Sequence, residues 1–257
     1  MSFYVVIPAR YDSERLPGKP LIDLHGKPMI QRVYERACLS DALEVHVATD
    51  DERIAEAVTS FGGRCVMTSR HHHTGTDRIY EAVKTIGLDP GHVVVNVQGD
   101  EPLMPPEAIN QVAAAVADDV EMATLREPVT DMQDVFDPNV VKVVTDEHDI
   151  ALYFSRAPVP WSRQHFSASG VAADNTLENG TAWFRHLGIY AYTVSMLTAF
   201  VSWPPSALEQ IENLEQLRVL SHGRSIRVLE SAISIPPGID VPRDVERAIA
   251  AIKAMEP

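Results

Sequence analysis

Residues 3–20 read FYVVIPARYDSERLPGKP and contain the transition that decides the fold. The first five residues are β-branched or aromatic and the run ends at Pro8, which predicts a buried strand of a parallel sheet. A basic loop follows, and residues 29–37 then carry apolar side chains at helical spacing. The stretch therefore predicts a strand, a loop and a helix in that order.

This alternation continues through the first half of the chain. Residues 44–49 and 92–97 are strand-like. The first of these runs leads into a helix that Asp50 and Asp51 cap and that Gly62 ends, and the second leads into a helix over 107–116. Strands that alternate with helices predict right-handed βαβ units and an α/β fold.

The second half of the chain departs from strict alternation. Residues 140–144 and 151–155 resemble antiparallel strands, and residues 164–179 form a polar stretch without a clear period. Further along, the sequence predicts one helix over about 206–221, a strand over 226–229 and a closing helix over 242–254.

Composition excludes several classes of protein. The chain has 257 residues, within the range of one large α/β domain, and a formal net charge of -14 that argues against nucleic acid as a partner. No segment is long and apolar enough to predict a membrane span or a signal peptide. The two cysteines, Cys38 and Cys65, lack a CxxC spacing, so we expect neither a disulfide framework nor a zinc site, and a cytoplasmic protein.

The loop after the first strand carries three cations, Arg10, Arg15 and Lys19. Guanidinium groups bind phosphate oxygens in pairs and an ammonium group acts as a point charge, so the loop predicts a triphosphate site. It contains neither a Walker A motif nor a GxGxxG fingerprint. The alternative is a basic loop that is merely solvated.

Two aspartates follow glycines at predicted turns. Asp100 is the third residue after the strand at 92–97, and Asp240 precedes Pro242 at the start of the closing helix. Such a carboxylate pair suits magnesium if the two side chains converge on one phosphate group. Singly, each is better explained as a helix cap or a turn residue.

Four further blocks identify a resemblance: NVQGDEP at 96–102, ALYFSR at 151–156, RHLGIY at 185–190 and LEQLR at 214–218. Together with the basic loop, they resemble the bacterial CMP-Kdo synthetase family of sugar nucleotidyltransferases, in order from Phe3 to about Arg247. The resemblance implies a Rossmann-like nucleotidyltransferase fold, with a mixed, mostly parallel central sheet and a smaller antiparallel region for dimerisation and acceptor binding. It also implies a homodimer that couples CTP with Kdo (3-deoxy-manno-octulosonate), using Mg²⁺, for lipopolysaccharide biosynthesis.

The resemblance also implies roles for individual residues. Catalysis and metal binding would fall to Lys19, Asp100 and Asp240, the two aspartates being the metal ligands. The nucleotide would be bound by Ala9, Arg10, Ser13, Arg15, Lys19, His72, Thr74, Gly75, Thr76 and Gln98. The sugar would be bound by Gln98, Arg156, His186, Tyr190, Glu209 and Glu212.

Some of these roles have a structural alternative. His186 and Tyr190 also fit an apolar strand, and Glu209 and Glu212 also fit the solvated face of a helix. His71 stands where the family commonly has an aspartate, and three adjacent histidines are a poor metal site because their side chains point in different directions.

We expect one domain. Its nucleotide-binding part spans about 1–125, its acceptor-binding and dimerisation part about 126–230, and its metal-site turn and closing helix about 231–257. Other hypotheses from the same sequence are a CMP-sialic acid synthetase, an enzyme that prefers 8-amino-Kdo, and a nucleotide-binding relative without catalysis.

Overall fold

The computed structural model describes residues 2–12, 16–72, 74–117, 119–163, 166–167, 170–171 and 183–255. Strands in this part of the chain are β1 (Phe3–Ala9), β2 (Glu44–Thr49), β3 (Arg64–Met67), β4 (Val93–Asn96), β5 (Met122–Pro128), β6 (Lys142–Thr145), β7 (Ala151–Ser155), β8 (Phe166–Ser167), β9 (Gly170–Val171), β10 (Phe184–Thr193) and β11 (Arg227–Glu230).

Helices in the same residues are α1 (Met29–Ala37), α2 (Glu52–Ser60), α3 (Gly75–Ile86), α4 (Pro106–Ala114), α5 (Met132–Phe136), α6 (Val194–Ser202), α7 (Ala207–Glu212), α8 (Leu217–Ser221) and α9 (Pro242–Met255). None of them combines the length and the apolar character needed to cross a membrane. Both cysteines are free thiols.

The central sheet has the order β11-β5-β10-β4-β1-β2-β3, with β6 and β7 attached beside β10. β1 runs parallel to β2 and β4, and β11 runs parallel to β5. β10 is antiparallel to both of its central neighbours. The predicted mixed, mostly parallel α/β sheet is therefore confirmed.

The opening segment behaves as its sequence predicts. Val5, Val6 and Ile7 of β1 have no exposed surface, because the strand lies between β2 and β4 with helices over both faces. Asp51 caps α2 by accepting a hydrogen bond from the backbone N–H of Arg53, and Gly62 follows that helix with a positive φ of 81°. The antiparallel pair predicted at 140–144 and 151–155 is observed as β6 and β7.

The helix predicted over 206–221 is wrong as a single element. It breaks at Asn213, which adopts the left-handed conformation with φ 52°. The N–H groups of Asn213 and Leu214 both bond to the carbonyl of Glu209, which ends α7. Asparagine tolerates this conformation better than most residues, so the helix ends there and α8 begins separately at Leu217.

The polar stretch predicted at 164–179 lies mostly outside the described residues. Its described parts, β8 and β9, pair with each other. Phe166 packs against Trp183, Phe136 and Trp161 in a small aromatic cluster beside the main cores.

Sheet topology brings the carboxyl ends of β1 and β4 to one edge. Gly99, in the turn after β4, lies so close to β1 that an added Cβ would be 2.7 Å from the carbonyl oxygen of Pro8. A side chain at this position would therefore push the two strand ends apart. The absence of a side chain lets the residues after β4 approach the loop after β1.

Gly99→Ala should lower the free energy of unfolding by about 1–3 kcal/mol, because the backbone must shift to relieve the overlap. Gly91→Ala is the matched control at the other end of β4, where an added Cβ meets nothing within 4 Å. Urea denaturation of both variants measures the difference. Equal stability of the two variants would contradict the close approach.

Candidate active site

Three charged side chains meet at the carboxyl edge of the sheet. The Nζ atom of Lys19 lies 2.6 Å from Oδ2 of Asp100 and 3.3 Å from Oδ1 of Asp240. The lysine side chain is largely buried, with 12% exposed, whereas the aspartates are 37% and 55% exposed. The structure thus brings together the three residues that the sequence predicts for catalysis and metal binding.

The turn that carries Asp240 is held against the turn that carries Asp100. The N–H of Ile239 donates to the carbonyl of Asp100 at 2.9 Å, and an added Cβ on Gly238 would lie 3.2 Å from the same oxygen. On its other side, Asp244 accepts hydrogen bonds from the N–H groups of Asp240 and Val241. These N–H donors lower the pKa of the Asp244 carboxyl, so it remains a charged cap at the start of α9.

Glu101 adds a buried carboxyl group next to this cluster. Its Oε2 has no hydrogen-bond partner among the described residues. Burial, reinforced by the charge of Asp100, raises the pKa of Glu101 to about 8. The group is therefore mostly neutral at pH 7 and adds little charge to the aspartate pair.

The two aspartates fit a magnesium ion. Carboxylate oxygens are hard ligands, and both already face one cationic group, the Lys19 ammonium. In the described part of the chain no group of three or more His, Cys, Asp or Glu side chains could hold a metal. Mg²⁺ in nucleotide sites is held by one or two carboxylates and takes its other ligands from phosphates and water.

A polar cavity of about 340 Å³ adjoins the loop after β1. It is lined by charged side chains of both signs, including Arg10, Asp50, Asp51, Arg53, Arg70 and His72. Asp50 is bound by the fully buried Arg78 at 2.7 Å, and Asp51 by Arg53 at 2.6 Å. The predicted nucleotide residues Arg10 and His72 therefore share this cavity, whereas Ser13 and Arg15 lie outside the described residues.

His72 lines the cavity while paired with Glu81 of α3. A hydrogen bond from the N–H of Ser69 is the main reason that the pKa of Glu81 is lowered, and His72 adds to it. Thr74 caps α3 by accepting from the N–H of Asp77. Ala9, also predicted to contact the nucleotide, is buried at the end of β1.

A second cavity, of about 320 Å³, lies between the sheet, helices α3 and α6 and the segment that joins α7 to α8; we name it the acceptor cavity. Its lining includes Gly75, Thr76, Gln98, His186, Tyr190 and Gln216. Gln98, His186 and Tyr190 are thus brought together as the sequence predicts. Gly75 and Thr76, predicted to contact the nucleotide, line this cavity instead of the polar one.

His186 is the central hydrogen-bonding group of the acceptor cavity. Its Nε2 lies 3.1 Å from Oγ1 of Thr124, whose hydroxyl donates to the carbonyl of Ile189 at 2.7 Å. Nε2 therefore carries the hydrogen and Nδ1 is an acceptor. Desolvation by surrounding protein lowers the pKa of His186 to about 3 and raises that of Tyr190, so both groups are neutral at pH 7.

Three predicted sugar residues lie outside the lining of the acceptor cavity. Glu209 forms a buried ion pair with Arg218 at 2.5 Å and closes the capping box of α7. Glu212 accepts from the Ser155 hydroxyl and from the N–H of Arg156. The Arg156 guanidinium donates to the carbonyls of Glu212, Pro138 and Asn213. Glu212 and Arg156 thus stabilise the junction between β7 and α7, and Glu209 joins α7 to α8.

The structure instead brings Glu215 and Gln216 into the acceptor cavity. Burial raises the pKa of Glu215, and its carboxylate accepts a hydrogen bond from Thr76 at 2.9 Å. Gln216 Nε2 is buried and without a partner in the described part of the structure. The block LEQLR contains both residues. The sequence pointed instead to Glu209 and Glu212, because a continuous helix over 206–221 would put these two side chains on the same face as Gln216.

Known proteins match this chain over nearly its whole length. The sequence model of a cytidylyltransferase family matches residues 4–226. The 3-deoxy-manno-octulosonate cytidylyltransferase of Idiomarina loihiensis is 55% identical over 250 residues, 96% of this chain and 97% of that protein. Its counterpart in Cellvibrio japonicus is 52% identical over 98% of this chain and 99% of that protein.

Solved structures are also similar to this chain. A CMP:2-keto-3-deoxy-manno-octonic acid synthetase complexed with CTP superimposes with a TM-score of 0.87 at 40% identity, over 99% of each chain. A nucleotidyl transferase from Methanothermobacter thermautotroptrophicus shares the fold alone, with a TM-score of 0.64 at 14% identity.

The low pKa of His186 predicts a pH effect on stability. The unfolded chain takes up this proton near the ordinary value of 6.5 and the folded chain only near 3, so the free energy of unfolding falls as pH drops below 6.5. His186→Gln should remove this component, which is at most about 1.4 kcal/mol per pH unit. Urea denaturation between pH 7.5 and 4.5 measures it. His148→Gln, at an exposed turn, is the control; identical curves for all three proteins would contradict the burial of a neutral imidazole.

Proposed function

The chain belongs to the cytidylyltransferase family, and on that premise we propose that it transfers CMP from CTP to 3-deoxy-manno-octulosonate, with release of pyrophosphate, for lipopolysaccharide biosynthesis. The observation that carries the proposal is the meeting of Lys19, Asp100 and Asp240 at the carboxyl edge of the sheet. At the same edge, Arg10 after β1 lines the polar cavity and Gln98 after β4 lines the acceptor cavity. In open α/β sheets this edge is the usual ligand site.

CTP occupies the polar cavity in this proposal. The guanidinium group of Arg10 lines that cavity and suits bidentate contacts to phosphate oxygens. Lys19 contributes a compact positive charge that lies next to both aspartates. Arg15 and Ser13 belong to the same loop and remain predicted contacts of the triphosphate.

Magnesium is the proposed metal, held by Asp100 and Asp240. When bound, it would neutralise charge on the phosphate oxygens and lower the pKa of a coordinated hydroxyl. The protein itself keeps the two carboxylates close together, because the turn that carries Asp240 packs on and hydrogen-bonds to the turn that carries Asp100. That arrangement is preformed, so little reorganisation is needed when the substrates bind.

The sugar acid occupies the acceptor cavity. Gln98, His186 and Tyr190 supply neutral hydrogen-bonding groups for its hydroxyls, and Glu215 and Gln216 join them. Arg156 is the proposed partner of the sugar carboxylate, adjacent to the cavity at Asn213. The anomeric hydroxyl forms the new bond to the α-phosphorus as the bond to pyrophosphate breaks, and its proton passes to solvent. We assign no side chain as general base.

Asp100→Asn should reduce pyrophosphate release from CTP and the sugar acid by at least about 100-fold, because it removes a charged group aimed at the reacting phosphate. CTP should still bind, since the cations of the loop remain. Calorimetric titration with CTP and a pyrophosphate-release assay measure the two effects. Asp119→Asn, which alters a 74% exposed aspartate, is the control. Near-normal turnover by the Asp100 variant would contradict the metal role of this residue. A separate outcome, preferential turnover of N-acetylneuraminate by the wild type, would overturn the assignment of the sugar acid.

We also propose a homodimer that acts in the cytoplasm. Exposed apolar side chains on β7, on the segment after it and on α7 support a protein interface there: Leu152, Trp161, Leu208 and Ile211. Among the described strands, β7 pairs only with β6. Free thiols and a nucleoside triphosphate substrate support a reducing compartment.

A double change, Leu152→Asp with Ile211→Asp, should convert the dimer to monomers, because two charges would be buried without partners in the interface. Sedimentation velocity at micromolar concentration measures the mass. Leu39→Asp, which changes a 67% exposed leucine after α1, should leave the dimer intact. A wild-type monomer under these conditions would contradict the proposal.

A further inference from the structure

Arg53 lies in the polar cavity, although none of the motifs in the sequence includes it. Its guanidinium carbon is 3.3 Å from the centre of the Tyr11 ring, a cation–π contact. Its Nε and one terminal nitrogen donate to the two carboxylate oxygens of Asp51 at 2.9 and 2.6 Å. Because Asp51 also caps α2, the guanidinium is fixed in orientation by the start of that helix.

The ring that Arg53 covers lies at the base of the basic loop. The carbonyl of Tyr11 accepts a hydrogen bond from the N–H of Gly18 at 3.0 Å, which joins the two ends of the loop. Gly18 has a φ of 69°, and an added Cβ there would lie 3.2 Å from the Tyr11 ring. The ring is therefore in contact with Gly18 as well as with Arg53.

The contact between Arg53 and Tyr11 also involves the end of the basic loop that carries Lys19. Lys19 follows Gly18 directly, and its ammonium group lies between Asp100 and Asp240. A movement of Tyr11 away from Gly18 would loosen the loop end from which Lys19 projects. Arg53 thus connects the start of α2 to the basic loop and, through that loop, to the backbone at Lys19.

We propose that Arg53 is a positioning residue for CTP, acting through Tyr11 to keep together the two ends of the basic loop at Tyr11 and Gly18. The inference rests on the proposed function and names one further residue of the nucleotide site. The Arg53 guanidinium already forms an ion pair with Asp51, so its positive charge is balanced within the protein. Arg53 therefore contributes to CTP binding by fixing the position of the Tyr11 ring, and not by a direct contact with phosphate.

Arg53→Ala should weaken CTP binding by about two- to five-fold, the range expected for one exposed cation–π contact. The ammonium group of Lys19 is held by Asp100 and Asp240 even if the loop end loosens, so kcat at saturating CTP and the KM for the sugar acid should change little. Because 56% of the Arg53 side chain is exposed, the melting temperature should also change little. Calorimetric titration with CTP and steady-state kinetics with each substrate varied in turn measure these effects.

The matched control is Arg224→Ala. Arg224 is 51% exposed and paired with Glu121, at the opposite edge of the sheet. Loss of this ion pair should leave CTP binding at the wild-type value. Equal CTP binding by wild type, Arg53→Ala and Arg224→Ala would overturn the inference.

A double-mutant cycle separates positioning from direct contact. If Arg53 acts through Tyr11, Arg53→Ala should weaken CTP binding no further in a Tyr11→Ala background, whereas Tyr11→Phe keeps the ring and should keep the effect. Full additivity of the two alanine changes would overturn the proposal. A wild type that neither binds nor uses CTP would instead refute the proposed function, so the two failures are distinguishable.

Discussion

The ammonium group of Lys19 joins three parts of the chain that are far apart in sequence. Asp100 is 81 residues away and Asp240 is 221 residues away, yet both carboxylates lie within 3.3 Å of Nζ. Two carboxylates this close would repel each other without a cation between them. The site therefore depends on backbone that approaches closely enough for one lysine to reach both, which Gly99 and Gly238 allow.

Charge is distributed unevenly between the two cavities. In the polar cavity, the carboxylates of Asp50 and Asp51 are each matched by an arginine, Arg78 and Arg53. In the acceptor cavity, desolvation disfavours the charged forms of His186 and Tyr190, because it lowers the pKa of the first and raises that of the second. The chain as a whole carries a formal charge of -14, so it is the local cations of the loop that suit a triphosphate. Neutral hydrogen-bonding groups suit the hydroxyls of a sugar.

Much of the site was predictable because its residues follow strands. Arg10 and Lys19 follow β1 and Asp100 follows β4, and parallel strands bring their carboxyl ends to one edge. The acceptor residues were harder to predict because they depend on one backbone angle. The left-handed conformation of Asn213 ends α7. Glu209 therefore pairs with Arg218 of α8 and Glu212 bonds to the end of β7, while Glu215 and Gln216 line the cavity. Helical spacing alone cannot detect such a break, since asparagine is also tolerated inside helices.

The amino-acid sequence by itself determined the α/β class, the parallel first half of the sheet, the basic loop and the family resemblance. These follow from local patterns: runs of β-branched residues, helical spacing, caps and short motifs. Only the tertiary structure decided which side chains meet. The contacts of Lys19 with Asp240, of Arg53 with Tyr11 and of Glu209 with Arg218 depend on packing between separate elements. Such contacts leave no periodic trace in the sequence, because each is made once, between positions whose spacing along the chain is set by the topology and not by a repeat.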